Sequence, residues 1–383
     1  MDGPEKAGGP ESGGGGGQLP LFAETPPGAL TPPAAGASSG ASGAPAASIA
    51  PGAAVAAAAV AATVGAAAVG AAVPSPEVVE LATRLPAGTY LGGSTWSFPG
   101  WAGLVYDRAH PAARLARHGL AAYARHPLLR AVGIDRTHYR PLPAAELAAY
   151  AAAVPPDFLF LVKAHEACTL AHFPDHPRYG AERGRANPLF LDPAYAAAEV
   201  VAPYAEGLRA KGGALLFEFA PQDLGPPRRF ATRLHAFLAA LPRGPLYAVE
   251  LRNRELLTAD YAAALAAAGA CHCLNVHPRM PDVRVQARLA RVAAAAPLTV
   301  GRWMLGSGAS YEAASKRFAP FHRLAAPDPV ARQALAGLAR EALAAGRSVL
   351  LTVNNNAEGC APLSIVALAS ELAVPGRPPA GHR

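Results

Sequence analysis

The chain has 383 residues, of which 51% are hydrophobic, and it carries a formal net charge of +7 at pH 7. This length accommodates one barrel of about 250 residues together with an appendage. Its four cysteines form no CxxC pair and are too sparse for a disulfide-rich secreted scaffold, which excludes that class. Reduced thiols fit this composition, so we expect a cytoplasmic protein.

The N-terminal segment differs in composition from the rest of the chain. Ala, Gly, Pro and Ser dominate residues 1–73, and the only charged side chains there are Asp2, Glu5, Lys6, Glu11 and Glu24. Such a segment has little apolar surface to offset the conformational entropy lost on ordering. We predict a disordered low-complexity tail over residues 1–73 and a short disordered C-terminal tail over residues 375–383.

An uncharged run over residues 53–73 is about as long as the roughly 20 residues that cross a bilayer. Ala and Gly dominate this run, and they are weakly hydrophobic in comparison with the Leu, Ile and Phe of spanning helices. No Lys or Arg lies between Lys6 and Arg84 to orient a span. We therefore do not expect the protein to bind or cross a membrane.

Apolar stretches typical of buried strands recur from residue 89 to residue 356, with helix-forming segments between them. This alternation predicts an α/β fold, a (β/α)8 TIM-barrel-like single domain over residues 74–374. A doubly wound open sheet is the runner-up, but no G-x-G-x-x-G run follows any strand. The predicted strands cover residues 90–96, 131–139, 159–165, 214–220, 246–252, 271–277, 298–302 and 349–355.

Ionisable or amide side chains lie at the carboxyl end of most of these stretches. Because alternate side chains of a barrel strand point inward, these groups would converge at one mouth, where TIM-barrel enzymes have their active sites. We predict three catalytic residues, Glu250, Lys163 and Asp135. The predicted ligand-binding residues are Arg252, Arg302, Asn354, Tyr139, Trp96, Glu218 and His277.

Glu250 and Arg252 share one face of a strand and are two residues apart. In the functional interpretation Glu250 transfers a proton while Arg252 binds a phosphate or carboxylate. The alternative is a structural ion pair that joins neighbouring strands. Lys163 also has two interpretations. It could act as a Schiff-base or general-base residue, or its positive charge could offset the negative charge of Glu218 or Glu250.

Other combinations of these residues have weaker support. Glu218 and Glu250 on adjacent strands fit a glycosidase carboxylate pair. Two histidines, His165 and His277, with these glutamates offer ligands for a divalent metal, but no spacing motif supports a metal site, and no cofactor is specified. Cys271 and Cys273 share a strand face, which favours buried thiols over a zinc site.

Two loops have both a functional and an ordinary interpretation. Gly306-Ser307-Gly308 follows the seventh strand and fits either a phosphate cradle or a simple loop. Aromatic residues near Trp96 could stack on a ligand or plug the barrel end. Tyr311 lies in a long segment that could cover the mouth.

Five motifs, in order along the chain, resemble the YecE-like family, the domain of unknown function 72. They are GGSTWSFPGWAGLVYD at 92–107, YRPLP at 139–143, VKA at 162–164, VELR at 249–252, and NN at 354–355 continuing to AP at 361–362. The match extends over residues 89–373. The resemblance implies a TIM barrel and carries no established activity.

These observations lead to two hypotheses of different classes. The first is an enzyme that uses acid–base chemistry on a small anionic metabolite, phosphorylated or sugar-like, at the C-terminal mouth of the barrel. The second is a non-catalytic barrel that binds nucleic acid or a protein, motivated by the positive charge. We favour the enzyme and do not expect a nucleic-acid partner, and the oligomeric state stays open.

Overall fold

The computed structural model describes residues 68–290, 296–306 and 310–373. Most of the predicted N-terminal tail, residues 1–67, and the whole predicted C-terminal tail lie outside these ranges. The run at residues 53–73 falls mostly in the same N-terminal part, so its interpretation stays a prediction. Within the described residues, none of the helices combines the length and the apolar character needed to cross a membrane.

In the described ranges, a single sheet of nine parallel strands forms a nearly closed barrel. Apart from β6 and β7, each strand pairs with its neighbour in the chain, and β1 pairs with β9, as expected for β/α units that follow one another around a barrel. The predicted TIM-barrel-like α/β fold is confirmed. The strands are β1 Thr89–Gly93, β2 Ala131–Ile134, β3 Leu159–Lys163, β4 Gly212–Phe219, β5 Tyr247–Leu251, β6 Cys271–His272, β7 Leu274–Val276, β8 Leu298–Trp303 and β9 Ser348–Val353.

Twelve α-helices accompany the strands in the described part of the chain. They are α1 Pro76–Arg84, α2 Ala112–His118, α3 Leu120–Tyr123, α4 Ala144–Ala152, α5 Pro193–Tyr195, α6 Ala202–Leu208, α7 Pro227–Ala240, α8 Ala259–Ala268, α9 Val283–Ala290, α10 Tyr311–Phe318, α11 Pro329–Ala344 and α12 Ala361–Ala373. Side-chain caps mark several starts: the Thr258 hydroxyl accepts from the Tyr261 N–H and the Asp328 carboxylate from the Ala331 N–H.

Strand alternation divides the core into two layers. Inward side chains such as Leu161, Leu216 and Val300 pack together inside the barrel. Their sequence neighbours, such as Val162 and Phe217, pack against the helices. The predicted inward orientation of Cys271 and Cys273 is confirmed, since both belong to the inner layer. At Gly92, an added Cβ would lie 1.7 Å from the carbonyl oxygen of Ala131, so only glycine permits this approach of β1 to β2.

Several strands are shorter than predicted at their carboxyl ends. The prediction that β2 continues to Tyr139 was wrong, because the strand ends at Ile134 and a 3₁₀ turn follows at Arg136–His138. The Thr137 hydroxyl stabilises this turn by contacting the carbonyl oxygens of Ile134, at 3.0 Å, and Lys163, at 2.6 Å. The first strand likewise ends at Gly93, before Trp96.

The predicted sixth strand is divided at Cys273 into β6, which pairs with β5, and β7, which pairs with β8. The side chain of Gln286 on α9 fills the gap. Its Oε1 accepts from the Asn275 N–H at 3.0 Å, and its Nε2 donates to the Asn275 carbonyl at 2.8 Å. A side-chain amide therefore replaces the strand partner that the break removes.

Candidate active site at the mouth of the barrel

Five charged side chains meet at the carboxyl ends of β3, β4, β5 and β8, and we call them the floor cluster. Lys163 ends β3, Glu218 and Glu250 are register partners on β4 and β5, and Arg302 lies on β8. Arg252 directly follows β5. All five are buried. The floor cluster is therefore a product of barrel closure, since its members are up to 139 residues apart along the chain.

Glu250 is the central anion of the floor cluster and is fully buried. Its Oε1 accepts a hydrogen bond from Nε of Arg252 at 2.7 Å, and its Oε2 accepts one from Nη1 of Arg302 at 2.7 Å. Both oxygens are thus held by guanidinium groups.

Glu218 carries the second negative charge through one oxygen. Its Oε2 accepts from Nη1 of Arg302 and lies 3.1 Å from Nζ of Lys163 and 3.7 Å from Nη2 of Arg252. Burial alone would raise the pKa of Glu218, but the three cations outweigh it and hold that pKa well below its usual range. Glu218 is therefore a fixed anion, and a glycosidase pair with Glu218 as the acid does not fit.

The floor cluster contains three cations and two carboxylates, so its five members carry one positive charge before the neighbouring Asp135 is counted. Asp135 stands beside it, with Oδ1 3.6 Å from Nη2 of Arg302 and a side chain that is 35% exposed. Asp135 is thus the accessible carboxylate of this mouth, in contrast to the buried Glu218 and Glu250.

Two further predicted residues border the floor cluster. Tyr139 lies on the rim, 38% exposed, and the Arg178 guanidinium is 5.3 Å from its ring centroid. Burial, together with the positive charge of Arg252, lowers the pKa of His277 to about 3, which keeps that imidazole neutral.

Two predicted ligand-binding residues, Asn354 and Trp96, form hydrogen bonds to backbone groups outside the floor cluster. The Asn354 side chain is buried, and its Oδ1 accepts from the Asn356 N–H at 2.9 Å, which closes a turn after β9. Trp96 packs in the outer core, where its indole N–H donates to the Leu115 carbonyl at 3.1 Å and its ring meets Tyr150 edge-on. The predicted inward orientation of Trp96 was wrong, because β1 ends three residues earlier and the chain turns away.

Helix α10 contributes Tyr311 beside the mouth. Burial raises the pKa of Tyr311, and Asp135, Tyr139 and Arg302 act on it electrostatically. Nδ2 of Asn356 donates to the Ser315 hydroxyl at 2.9 Å and ties this helix to the loop after β9. The proposed phosphate cradle at Gly306-Ser307-Gly308 cannot be placed, since residues 307–309 lie outside the described ranges.

A group of rim residues was missing from the sequence prediction, and we call it the rim cluster: His138, Glu166, Arg178 and Tyr179. Oε2 of Glu166 accepts from Arg178 and, at 3.1 Å, from the Tyr179 hydroxyl, and it lies 3.5 Å from Nε2 of His138. Arg178 and Tyr179 lie in the long loop after β3, which has no periodicity that would reveal them. Glu166, three residues beyond Lys163, could have been found by extending the strand-tip argument.

The burial of the cysteines and the grouping of the potential metal ligands bear on the chemistry of this site. All four cysteines are buried free thiols, and burial raises the pKa of Cys273, which borders the floor cluster. Across residues 68–290, 296–306 and 310–373, no three His, Cys, Asp or Glu side chains are grouped so as to hold a metal ion.

Comparisons with known proteins agree with this architecture. The family model "Protein of unknown function DUF72" matches residues 90–382. A crystal structure of a DUF72 family protein from Enterococcus faecalis is 17% identical and has a TM-score of 0.50, with 76% of this chain and 97% of that chain covered. One from Thermotoga maritima is also 17% identical with a TM-score of 0.50, covering 74% and 98%. At such identity the likeness concerns the fold alone. No curated protein matches the chain.

Proposed function

The chain belongs to the DUF72 family, the YecE-like group that its motifs resemble, and on this premise we propose that it is an enzyme using acid–base chemistry on a small anionic metabolite. The ligand, phosphorylated or carboxylated, binds at the C-terminal mouth of the barrel. Lys163, Arg252 and Arg302 provide its positive environment.

The observation that carries this proposal is the charge balance of the floor cluster. Three buried cations face only two buried carboxylates. The third carboxylate near these cations, Asp135, is 35% exposed and 3.6 Å from Arg302, so it offsets the remaining positive charge only in part, and a bound anion offsets that charge more closely. Guanidinium groups also match the geometry of phosphate and carboxylate oxygens.

Proton transfer in this proposal is assigned to Asp135 in place of Glu250. Both oxygens of Glu250 accept bonds from guanidinium groups, and no part of its side chain reaches solvent. Asp135 is 35% exposed and lies next to Arg302, so it can approach a ligand held by the cations. Glu250 then has the positioning role of holding Arg252 and Arg302 apart and in place.

Lys163→Gln tests this function, because it removes the excess charge and leaves the bonds between Glu250 and its two arginines intact. We expect wild-type protein to be stabilised thermally by inorganic phosphate or by phosphorylated sugars, since a ligand of the native state raises the melting temperature. Lys163→Gln should weaken phosphate binding about tenfold or more, the loss expected for one charged hydrogen bond.

The matched control is Lys316→Gln, which removes the same charge from an exposed lysine on α10 paired with Glu312. This control should bind phosphate as wild type does. Equal weakening in both variants would indicate unspecific attraction to a basic protein, and no binding by wild type would contradict the proposal. Binding of single-stranded or duplex nucleic acid that weakens with salt would favour the non-catalytic alternative.

We place this activity in the cytoplasm. The support is chemical: four buried thiols without a disulfide are the cysteine usage of a reducing compartment.

A further inference from the structure

The rim cluster lies directly beside the floor cluster and contains a histidine–carboxylate contact. His138 belongs to the 3₁₀ turn after β2, and Glu166 begins the turn after β3. Nε2 of His138 is 3.5 Å from Oε2 of Glu166, and the two side chains are only 15% and 11% exposed. The contact is therefore largely shielded from water, and Lys163 and Glu218 of the floor cluster are close enough to act on His138.

Charges of both signs face the His138 imidazole. Lys163 and Arg178 are the cations that act on it, Glu218 and Glu166 are the carboxylates, and the backbone of Ala164 forms a hydrogen bond to it. The ring of Tyr139 stands edge-on at 5.2 Å. Burial, followed by the charge of Lys163, holds the pKa of His138 well below its usual range, so the ligand-free imidazole is neutral at pH 7.

The carboxylate partner is held in place independently of His138. Arg178 and the Tyr179 hydroxyl both bind Oε2 of Glu166, and the Arg178 guanidinium lies 4.5 Å from the Tyr179 ring centroid. Burial raises the pKa of Glu166 even though Arg178 opposes this. Two groups in contact thus have pKa values displaced towards each other, because burial disfavours the charged form of each.

We propose that His138 takes up a proton from solvent when an anion binds to the floor cluster, and that Glu166 then holds the imidazolium beside the bound ligand. The inference rests on the proposed function and deepens it. An anion against Lys163 cancels the main charge that opposes protonation of His138. The imidazolium becomes an ion pair with Glu166 and a proton donor at the edge of the mouth.

His277 is the competing histidine, because it also borders the floor cluster. Arg252 is the strongest of the charges that act on it, followed by Glu218 and then by Arg279 and Arg302. A proton on His277 would face three guanidinium groups without a carboxylate in contact. Proton uptake is therefore assigned to His138.

Titration calorimetry with sulfate tests the inference, because sulfate stays a dianion between about pH 5.5 and about pH 8 and so contributes no proton of its own. Measured in buffers of different ionisation enthalpy, wild-type protein should take up close to one proton per sulfate bound at the lower end of this range. Linkage then makes sulfate binding stronger as pH falls, by at most about tenfold per pH unit.

The variants separate the two histidines. His138→Asn should bind sulfate without proton uptake, whereas His277→Asn should retain the uptake. Glu166→Gln keeps His138 and removes its carboxylate, so it should reduce the uptake and flatten the pH dependence. Glu166→Gln also serves as the test if His138→Asn does not fold.

The outcomes distinguish the two proposals. Sulfate binding by wild type with no proton uptake, or uptake that survives in His138→Asn and is lost in His277→Asn, overturns this inference and leaves the proposed function standing. Failure of wild type to bind sulfate at any pH in the range overturns the proposed function and the inference that rests on it.

Discussion

The role of Glu250, either proton transfer or a structural ion pair, follows from its contacts in the folded protein and not from its sequence position. The sequence indicated a carboxylate and a guanidinium two residues apart on one strand face, which fits either proton transfer or an ion pair. The contact with Arg302, 52 residues further along the chain, decides between them, and no local pattern contains it. Burial of both oxygens then favours the positioning role.

Glu250→Gln should therefore lower the free energy of unfolding by about 3–5 kcal/mol, the loss seen when one partner of a buried ion pair is removed. The new amide would place an N–H against a guanidinium N–H. Urea denaturation of the variant and of wild type measures the difference. A fully stable Glu250→Gln protein would restore Glu250 as a candidate for proton transfer.

Asp135→Asn is the matched variant at the accessible carboxylate. Its single ion pair with Arg302 is partly exposed and long, so the substitution should change the free energy of unfolding by no more than about 1 kcal/mol. Turnover of whatever phosphorylated substrate the ligand screen identifies should fall by about 100-fold or more, the usual contribution of a general acid or base. Unchanged turnover in Asp135→Asn would contradict its assignment.

At the scale of elements, period-two alternation predicted eight strands, of which seven are single strands in the structure and the sixth is divided into β6 and β7. It failed at strand ends, because turn chemistry acts there. Thr137 turns the chain after β2, so Asp135 and Tyr139 reach the mouth from a 3₁₀ turn and not from a strand. Arg178 and Tyr179 of the rim cluster were beyond prediction for a related reason, because they lie in an irregular loop and contact Glu166 only in the folded barrel.

The interrupted sixth strand depends on one side chain, and Gln286→Leu tests this. The substitution keeps the volume roughly similar but leaves the N–H and C=O of Asn275 and one ring nitrogen of His272 without their partners. Since each unsatisfied buried group costs about 1–3 kcal/mol, we expect a loss of about 3 kcal/mol or more in the free energy of unfolding.

Gln333→Leu on the exposed side of α11 is the control for Gln286→Leu and should change stability by less than about 0.5 kcal/mol. Equal stability of the Gln286→Leu protein and wild type would mean that the break between β6 and β7 needs no side-chain support.

At the scale of the whole molecule, we expect buried neutral histidines to lower the free energy of unfolding as the pH falls. Burial lowers the pKa of His126 to about 4, and burial also lowers the pKa values of His138 and His272. Each binds a proton more readily when unfolded than when folded. Their contribution to stability is therefore complete above pH 6.5 and is lost as pH falls from there towards the folded pKa values.

Urea denaturation at a series of pH values should show this decline beginning below about pH 6.5, with a slope of at most about 1.4 kcal/mol per pH unit for each histidine. His126→Asn should reduce the slope, whereas His118→Asn, at an exposed position of α2, should leave it unchanged. Stability that stays constant down to the carboxylate range near pH 4.5 would contradict the prediction.

The claim on which the function depends is that the excess positive charge of the floor cluster binds an anion. Diffraction from crystals soaked in selenate measures this directly, since selenium scatters anomalously and selenate resembles sulfate and phosphate in shape. We predict an anomalous peak at the mouth of the barrel, within hydrogen-bonding distance of Lys163 or Arg252. Peaks confined to surface arginines, with none at the floor cluster, would contradict the account.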